Sequence, residues 1–132
     1  MPMTDGAVGG KPHVLIVDDM ADVVELTAML LRSCGYTVST ARTGAEALDV
    51  LERDPIQVAV IDLGLPDMDG SEVAMRIRQH DPWAHIRTIA VTGDAGADAV
   101  RDPASTGFDA HVVKPFSGAD LMATIDRIFR GR

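Results

Sequence analysis

His13-Val14-Leu15-Ile16-Val17-Asp18-Asp19 and Gln57-Val58-Ala59-Val60-Ile61-Asp62 share one form: an unbroken apolar, largely β-branched run that stops at aspartate. A strand with one face in water alternates apolar and polar residues, whereas a run that is apolar at every position suits a strand buried on both faces of a parallel sheet. Working outward, residues 88–91 form a third such run, closed by Thr92-Gly93, and residues 110–113 a fourth, closed by Lys114-Pro115. Residues 36–41 supply the remaining strand. Helical patterns fill the intervals. Residues 20–34 carry Val23, Leu26, Thr27, Leu30 and Leu31 on one stripe, and Gly35 stops the helix. Residues 45–53 end at Asp54-Pro55, Ser71 is expected to cap a helix at 72–80, and Ser117 a final one at 119–129. A weaker helix covers 97–105. Five strands alternating with five helices over short connections predict one doubly wound α/β domain at 13–130, behind a Gly-rich, flexible tail at 1–12.

Composition narrows the function. The chain of 132 residues fits one domain, and 20 acidic against 12 basic side chains give a net charge of -8. Such a surface repels the phosphate backbone, so no direct binding of nucleic acid is expected. The lone Cys34 excludes an intramolecular disulfide and a cysteine metal cage. No apolar run approaches the length of a membrane span, so no membrane insertion is expected and the location read is cytoplasmic. Asp dominates Glu sixteen to four, and the only lysines are Lys11 and Lys114.

In a parallel sheet all C-terminal strand ends lie along one edge, where α/β proteins bind their ligands. The residues just past those ends are Asp18, Asp19, Asp62, Thr92 and Lys114. Three ionised carboxylates in one place repel each other and call for a cation. All-oxygen ligands select a hard ion such as Mg²⁺, with Mn²⁺ as the alternative. A carboxylate can also attack phosphorus to give an aspartyl phosphate, a reaction that asks the protein mainly for positioning and charge neutralisation. A lone aspartate at a strand end is more often a cap or turn former, the role assigned to Asp67 and Asp69.

The chain resembles the receiver domain of two-component response regulators. The resemblance rests on Val17-Asp18-Asp19, on Ile61-Asp62-Leu63-Gly64-Leu65-Pro66-Asp67-Met68-Asp69-Gly70, on Val91-Thr92 and on Val113-Lys114-Pro115-Phe116, with Thr43-Gly44-Ala45-Glu46-Ala47-Leu48 ahead of the second helix. It covers roughly residues 13–129. It implies a flavodoxin-like sheet of order 2-1-3-4-5, the order that general accounts of doubly wound folds give for a chemotaxis member of this family. It implies that Asp62 accepts a phosphoryl group from a histidine kinase or histidine phosphotransfer protein. Asp19 and Asp62 would be direct metal ligands, Asp18 would act through a water, and the Gly64 carbonyl would be a further ligand. Thr92 would donate to the phosphoryl oxygen, Lys114 would pair with Asp62 and then with the phosphoryl group, and the Lys114-Pro115 bond would be cis.

Two positions depart from the family pattern. His111 stands where many receivers carry Tyr or Phe; it reads either as a switch residue at the output surface or as a solvent-edge histidine. Gly64 and Gly93 carry no side chain beside the site. Gly64 reads as turn geometry in preference to an open approach to Asp62, while Gly93 begins a loop expected to move with switching. With only Gly131-Arg132 beyond the last helix, the chain is expected to be a stand-alone switch. Its signal would leave through the face of segment 97–105, the last strand and the last helix, toward an unknown downstream protein. The alternatives are a phosphate relay or sink, a fragment of a hybrid histidine kinase, and an aspartate-nucleophile phosphatase; the last needs a second aspartate where Gly64 stands. A receiver is a signalling domain that assists its own phosphorylation and dephosphorylation rather than an enzyme of metabolism. Trp83 is expected to plug a loop, His13, His80 and His85 to lie at the surface, and Arg76, Arg78, Arg127 and Arg130 to be solvated.

Overall fold

A computed structural model of the chain describes residues 10–93 and 107–130. Its elements are β1 (His13–Val17), α1 (Ala21–Ser33), β2 (Thr37–Ala41), α2 (Gly44–Arg53), β3 (Val58–Asp62), α3 (Gly70–Gln79), a 3-10 turn (Asp81–Trp83), β4 (Arg87–Thr92), β5 (Ala110–Val113) and α4 (Gly118–Arg130). Every expected strand forms, four of them on their apolar runs and β2 within residues 36–41. The helix expected at 97–105 lies outside the described residues, so four helices are described against five expected.

All strand pairs are parallel, in the order β2-β1-β3-β4-β5. Register sets the functional edge: Val17 lies beside Ala41 and Ile61, Asp62 beside Val91, and Thr92 beside Val113. Strands β1 to β4 each feed two cores because successive side chains point to opposite faces, while β5 feeds one through Ala110 and Val112. Val14 and Ile16 join α1 and α4 through Leu31, Leu121 and Ile125, while Leu15 and Val17 join α2 and α3 through Val50, Leu51, Val73 and Ile77. The sheet is therefore covered on both sides, which is why its central strands β1 and β3 are apolar along nearly their whole length, while the edge strands β2 and β5 carry polar residues.

Several expectations need correction. The buried residues of α1 are Val24, Ala28 and Leu31, whereas Leu26 is 66% exposed and Leu30 39% exposed. The helix has two apolar faces, and the face with the smaller side chains fits the sheet. Asp69, not Ser71, caps α3: its carboxylate accepts the Ser71 N–H at 3.0 Å. The helix starts a residue or two early because Gly70 tucks against the end of β3, where an added Cβ would lie 2.4 Å from the Asp62 carbonyl oxygen. Ser117 does cap α4, accepting the Asp120 N–H. Arg78 is not simply solvated: its guanidinium donates to the carbonyls of Ile86 and Gly107 and to Asp109, beside the fully buried Thr88. His13 is half-buried, with Nε2 2.7 Å from Ser39 Oγ, which donates to Asp54. Trp83 packs half-buried on the core as expected, next to His80.

The free edge of β2 is partly plugged. Asp18 donates to the Ala41 carbonyl, so the odd-numbered carbonyls of β2 turn toward β1, and the outward carbonyl of Val38 accepts from the Arg32 guanidinium at 2.9 Å. Among the described residues, no helix is long and apolar enough to cross a membrane.

Candidate functional site

The strand ends bring the five expected side chains to one edge. Asp18 follows β1; its N–H bonds to the Ala41 carbonyl and its Oδ1 accepts the Met20 N–H at 3.0 Å, so it is held at both ends. It is 4% exposed. Asp19, the next residue, is exposed. Asp62 ends β3 and is 9% exposed; its Oδ1 accepts the Gly64 N–H at 3.0 Å, and its Oδ2 accepts Lys114 Nζ at 3.1 Å. Thr92 ends β4 and is buried, and its carbonyl accepts the Lys114 N–H at 2.7 Å. Lys114 leaves β5 ahead of a cis bond to Pro115, and its Nζ also lies 3.4 Å from Asp18 Oδ2.

One ammonium thus bridges two aspartates drawn from strands far apart in sequence. Burial would lower the Lys114 pKa, but hydrogen bonding and charge from Asp62 and then Asp18 outweigh it and raise it above its ordinary value. Asp18 is pushed upward, mainly by burial and further by the Asp62 charge; the Met20 N–H and Lys114 offset part of this. Three carboxylates against one ammonium leave two negative charges uncompensated.

Carboxylate oxygens of Asp18, Asp19 and Asp62 all lie within 4.8 Å of one another. Among the described residues this is the one such group of three or more acidic, histidine or cysteine side chains. The donor set is all oxygen, anionic and partly open to solvent. It fits Mg²⁺, which takes one or two carboxylates at 2.0–2.1 Å and keeps waters.

Residues 14–126 match the response regulator receiver domain family. The chain belongs to that family. The receiver domain is similar to chemotaxis protein CheY-3 of Vibrio cholerae, at 30% identity over 88% of this chain and 90% of that protein. Among solved structures, it superposes on a CheY-like receiver domain protein from Methanospirillum hungatei with a TM-score of 0.81, at 30% identity over 92% of this chain and 95% of the other. It also superposes on response regulator TrrA of Thermotoga maritima, solved in complex with Mg(2+)-BeF, with a TM-score of 0.78 at 28% identity over 89% and 98% of the two chains. Receiver domains are signalling domains of two-component systems, and their partners are histidine kinases, phosphotransfer proteins and downstream targets.

The remaining expected residues sit around this receiver site. Pro115 is exposed beyond Lys114, and His111 is exposed on the edge strand β5. Turn geometry does not account for Gly64: its φ is not positive, and an added Cβ would meet only Asp62 Oδ1, at 3.9 Å. Gly93 has nothing within 4 Å of an added Cβ. Two features were not legible in sequence. Asp67, read as a cap or turn former, caps a helix far from it in sequence, accepting the Gly44 and Ala45 N–H groups of α2. A groove of about 330 Å³ lined by Met20, Val23, Leu26, Thr27, Lys114, Pro115 and Phe116 opens beside the site.

Proposed function

We propose that this receiver domain takes a phosphoryl group on Asp62 from a phosphohistidine of a histidine kinase or phosphotransfer protein, and signals by phosphorylation-dependent protein binding. The observation that carries the reading is Lys114 Nζ held between Asp62 and Asp18 within the acidic cluster. An Asp62 carboxylate oxygen attacks phosphorus, the phosphorus–nitrogen bond to the donor imidazole breaks, and the nitrogen keeps the electron pair. Asp19, Asp62, the Gly64 carbonyl and, through water, Asp18 would hold Mg²⁺, which supplies positive charge to the phosphoryl oxygens. Lys114 moves from Asp62 to a phosphoryl oxygen without crossing the site, because it already touches Asp62. Thr92 donates its hydroxyl to another phosphoryl oxygen. His111 and Pro115 lie where a change at Thr92 and Lys114 would reach the surface of β5.

The donor protein needs an approach, and the α1 groove supports one. Its floor is Lys114 itself, and its wall is apolar: Met20 is 56% and Leu26 66% exposed. An amphipathic helix of the phosphohistidine-bearing protein, seated there with its histidine toward the acidic edge, would cover these residues. Incubation with acetyl phosphate and Mg²⁺ followed by intact mass tests the site. Wild type is expected to gain one phosphoryl group and Asp62→Ala none; a gain on both, or on neither, overturns the assignment.

A further inference from the structure

The three carboxylates of the site are carried by two loops far apart in sequence. One is Asp18-Asp19 after β1; the other runs from Asp62 through Gly64 to the start of α3. A third segment, the turn from β2 into α2, touches both. On one side the Ala41 carbonyl accepts the Asp18 N–H at 3.1 Å, and the Arg42 guanidinium approaches the Asp19 carbonyl at 3.5 Å. On the other side Asp67 Oδ1 accepts the Gly44 N–H at 2.8 Å and Oδ2 the Ala45 N–H at 3.0 Å.

We infer that Asp67 is a positioning residue of the cation site: it clamps the loop carrying Gly64 onto the N-terminus of α2, just after the Ala41-Arg42 segment that braces Asp18 and Asp19. The inference rests on the Mg²⁺ reading of the cluster and adds to it a residue that touches neither cation nor phosphoryl group. The grip is strong for physical reasons. The first N–H groups of a helix have no partner within it, and a carboxylate there also meets the positive end of the helix dipole. Both carboxylate oxygens are used, so the loop cannot swing about a single bond. These two N–H groups hold the Asp67 carboxyl below its ordinary pKa.

A second contact seats the same loop independently. Met68 lies over Gly44 so closely that an added Cβ would stand 2.4 Å from Met68 Cγ. Residue 44 therefore admits no side chain while Met68 keeps this position. The turn is itself held at two points: Thr43 Oγ1 accepts the Glu46 N–H, and the Glu46 carboxylate reaches back to the Arg42 N–H, one residue before the cap. The base of the Gly64 loop is closed by Gly70 N–H to the Leu63 carbonyl, and Leu65 is buried. Gly64, exposed and without a side chain, has no anchor of its own except its N–H on Asp62. Where its carbonyl points is set by Leu65 and Asp67.

The test is calorimetric titration of Mg²⁺ into wild type, Asp67→Asn and Asp67→Ser, well below each melting temperature. Asn keeps one acceptor oxygen but sets its amide NH₂ against the second N–H, whereas Ser keeps one acceptor and sets no donor against the other. Glu52→Gln, an exposed carboxylate of α2, controls for the loss of one negative charge. Asp67→Asn is expected to raise the Mg²⁺ dissociation constant about tenfold, the scale of supporting residues around a metal. Asp67→Ser is expected to fall between, and Glu52→Gln to stay within about twofold of wild type. Phosphorylation of Asp67→Asn by acetyl phosphate should be slow at low Mg²⁺ and recover as Mg²⁺ is raised. If Asp67→Asn and Asp67→Ser melt earlier but bind Mg²⁺ as Glu52→Gln does, Asp67 is only a structural cap and the inference falls. Should Asp67→Asn not fold, Asp67→Ser alone decides by the same comparison. A wild type that fails to bind Mg²⁺ would sink the reading of the cluster itself, a distinct result.

Discussion

Replacing Asp18 by Asn should stabilise the metal-free protein. At an effective dielectric of about 20, Asp62, with an oxygen within 4.8 Å, costs an ionised Asp18 at least about 3.5 kcal/mol, while the exposed Asp19 is screened by water and adds little. Lys114 at 3.4 Å returns about 5 kcal/mol. Attraction by Lys114 thus exceeds the Asp62 repulsion by about 1.5 kcal/mol, but burial, the largest cause of the raised Asp18 pKa and worth several kcal/mol for a buried ion, outweighs it and leaves a net penalty on the order of 1 kcal/mol. Asn keeps the carbonyl that accepts the Met20 N–H and removes the charge. Thermal denaturation in chelator at pH 7 should show Asp18→Asn melting about 4 °C above wild type. The sign with pH follows from the raised pKa of Asp18. A carboxyl whose folded pKa exceeds its unfolded value near 3.9 destabilises increasingly as pH rises through the folded value. The difference between the two proteins should shrink toward acid. Mg²⁺ should then reverse the order, since a hundredfold excess over its dissociation constant adds about 2.7 kcal/mol to whichever protein binds it. An Asp18→Asn protein that melts below wild type without metal, or a gap that widens in acid, would refute this electrostatic account.

Leu26→Ser, on the exposed face of α1, should change stability by no more than about half a kcal/mol and leave phosphorylation by acetyl phosphate intact. Transfer from a phosphohistidine protein should slow in the same variant, measured by stopped-time gel assays. Thr88→Val removes a fully buried hydroxyl that donates to the Gly107 carbonyl and accepts the Asp109 N–H; it should cost about 2 kcal/mol in urea unfolding with Mg²⁺ affinity unchanged. Burial, opposed by Asp54, lowers the His13 pKa. The unfolded chain therefore binds the proton first, and wild type should lose stability as pH falls from about 6.5. His13→Gln should flatten that part of the stability profile, read from melting temperatures between pH 7 and 5.

The parts of the fold that depend on burial alone were legible in sequence. Val14 to Val17 and Val58 to Ile61 are apolar at every position because helices cover both faces. The site residues were legible for a related reason: strand ends share an edge, so five polar residues at those ends needed no knowledge of the loops. What failed was helix orientation and loop chemistry. Leu26 and Leu30 are larger than Val24 and Ala28, and hydrophobicity alone ranks the wrong face of α1 as buried. Asp69 and Ser71 are both good caps, and only the close approach of Gly70 to the Asp62 carbonyl selects the earlier one. Asp67 bonds to residues 23 and 22 positions away, a distance at which no local motif speaks.

The plug that Arg32 places on Val38 bears on how the molecule behaves when concentrated. A five-stranded open sheet offers two borders to a neighbouring chain seeking backbone partners, and unguarded borders seed fibrils. Here one border is obstructed by a guanidinium. The other, β5, is only four residues long and carries an exposed imidazole at its second position. Neither gives a stranger enough ladder to grow on, so crowding should leave the molecule free to meet partners through its helices instead.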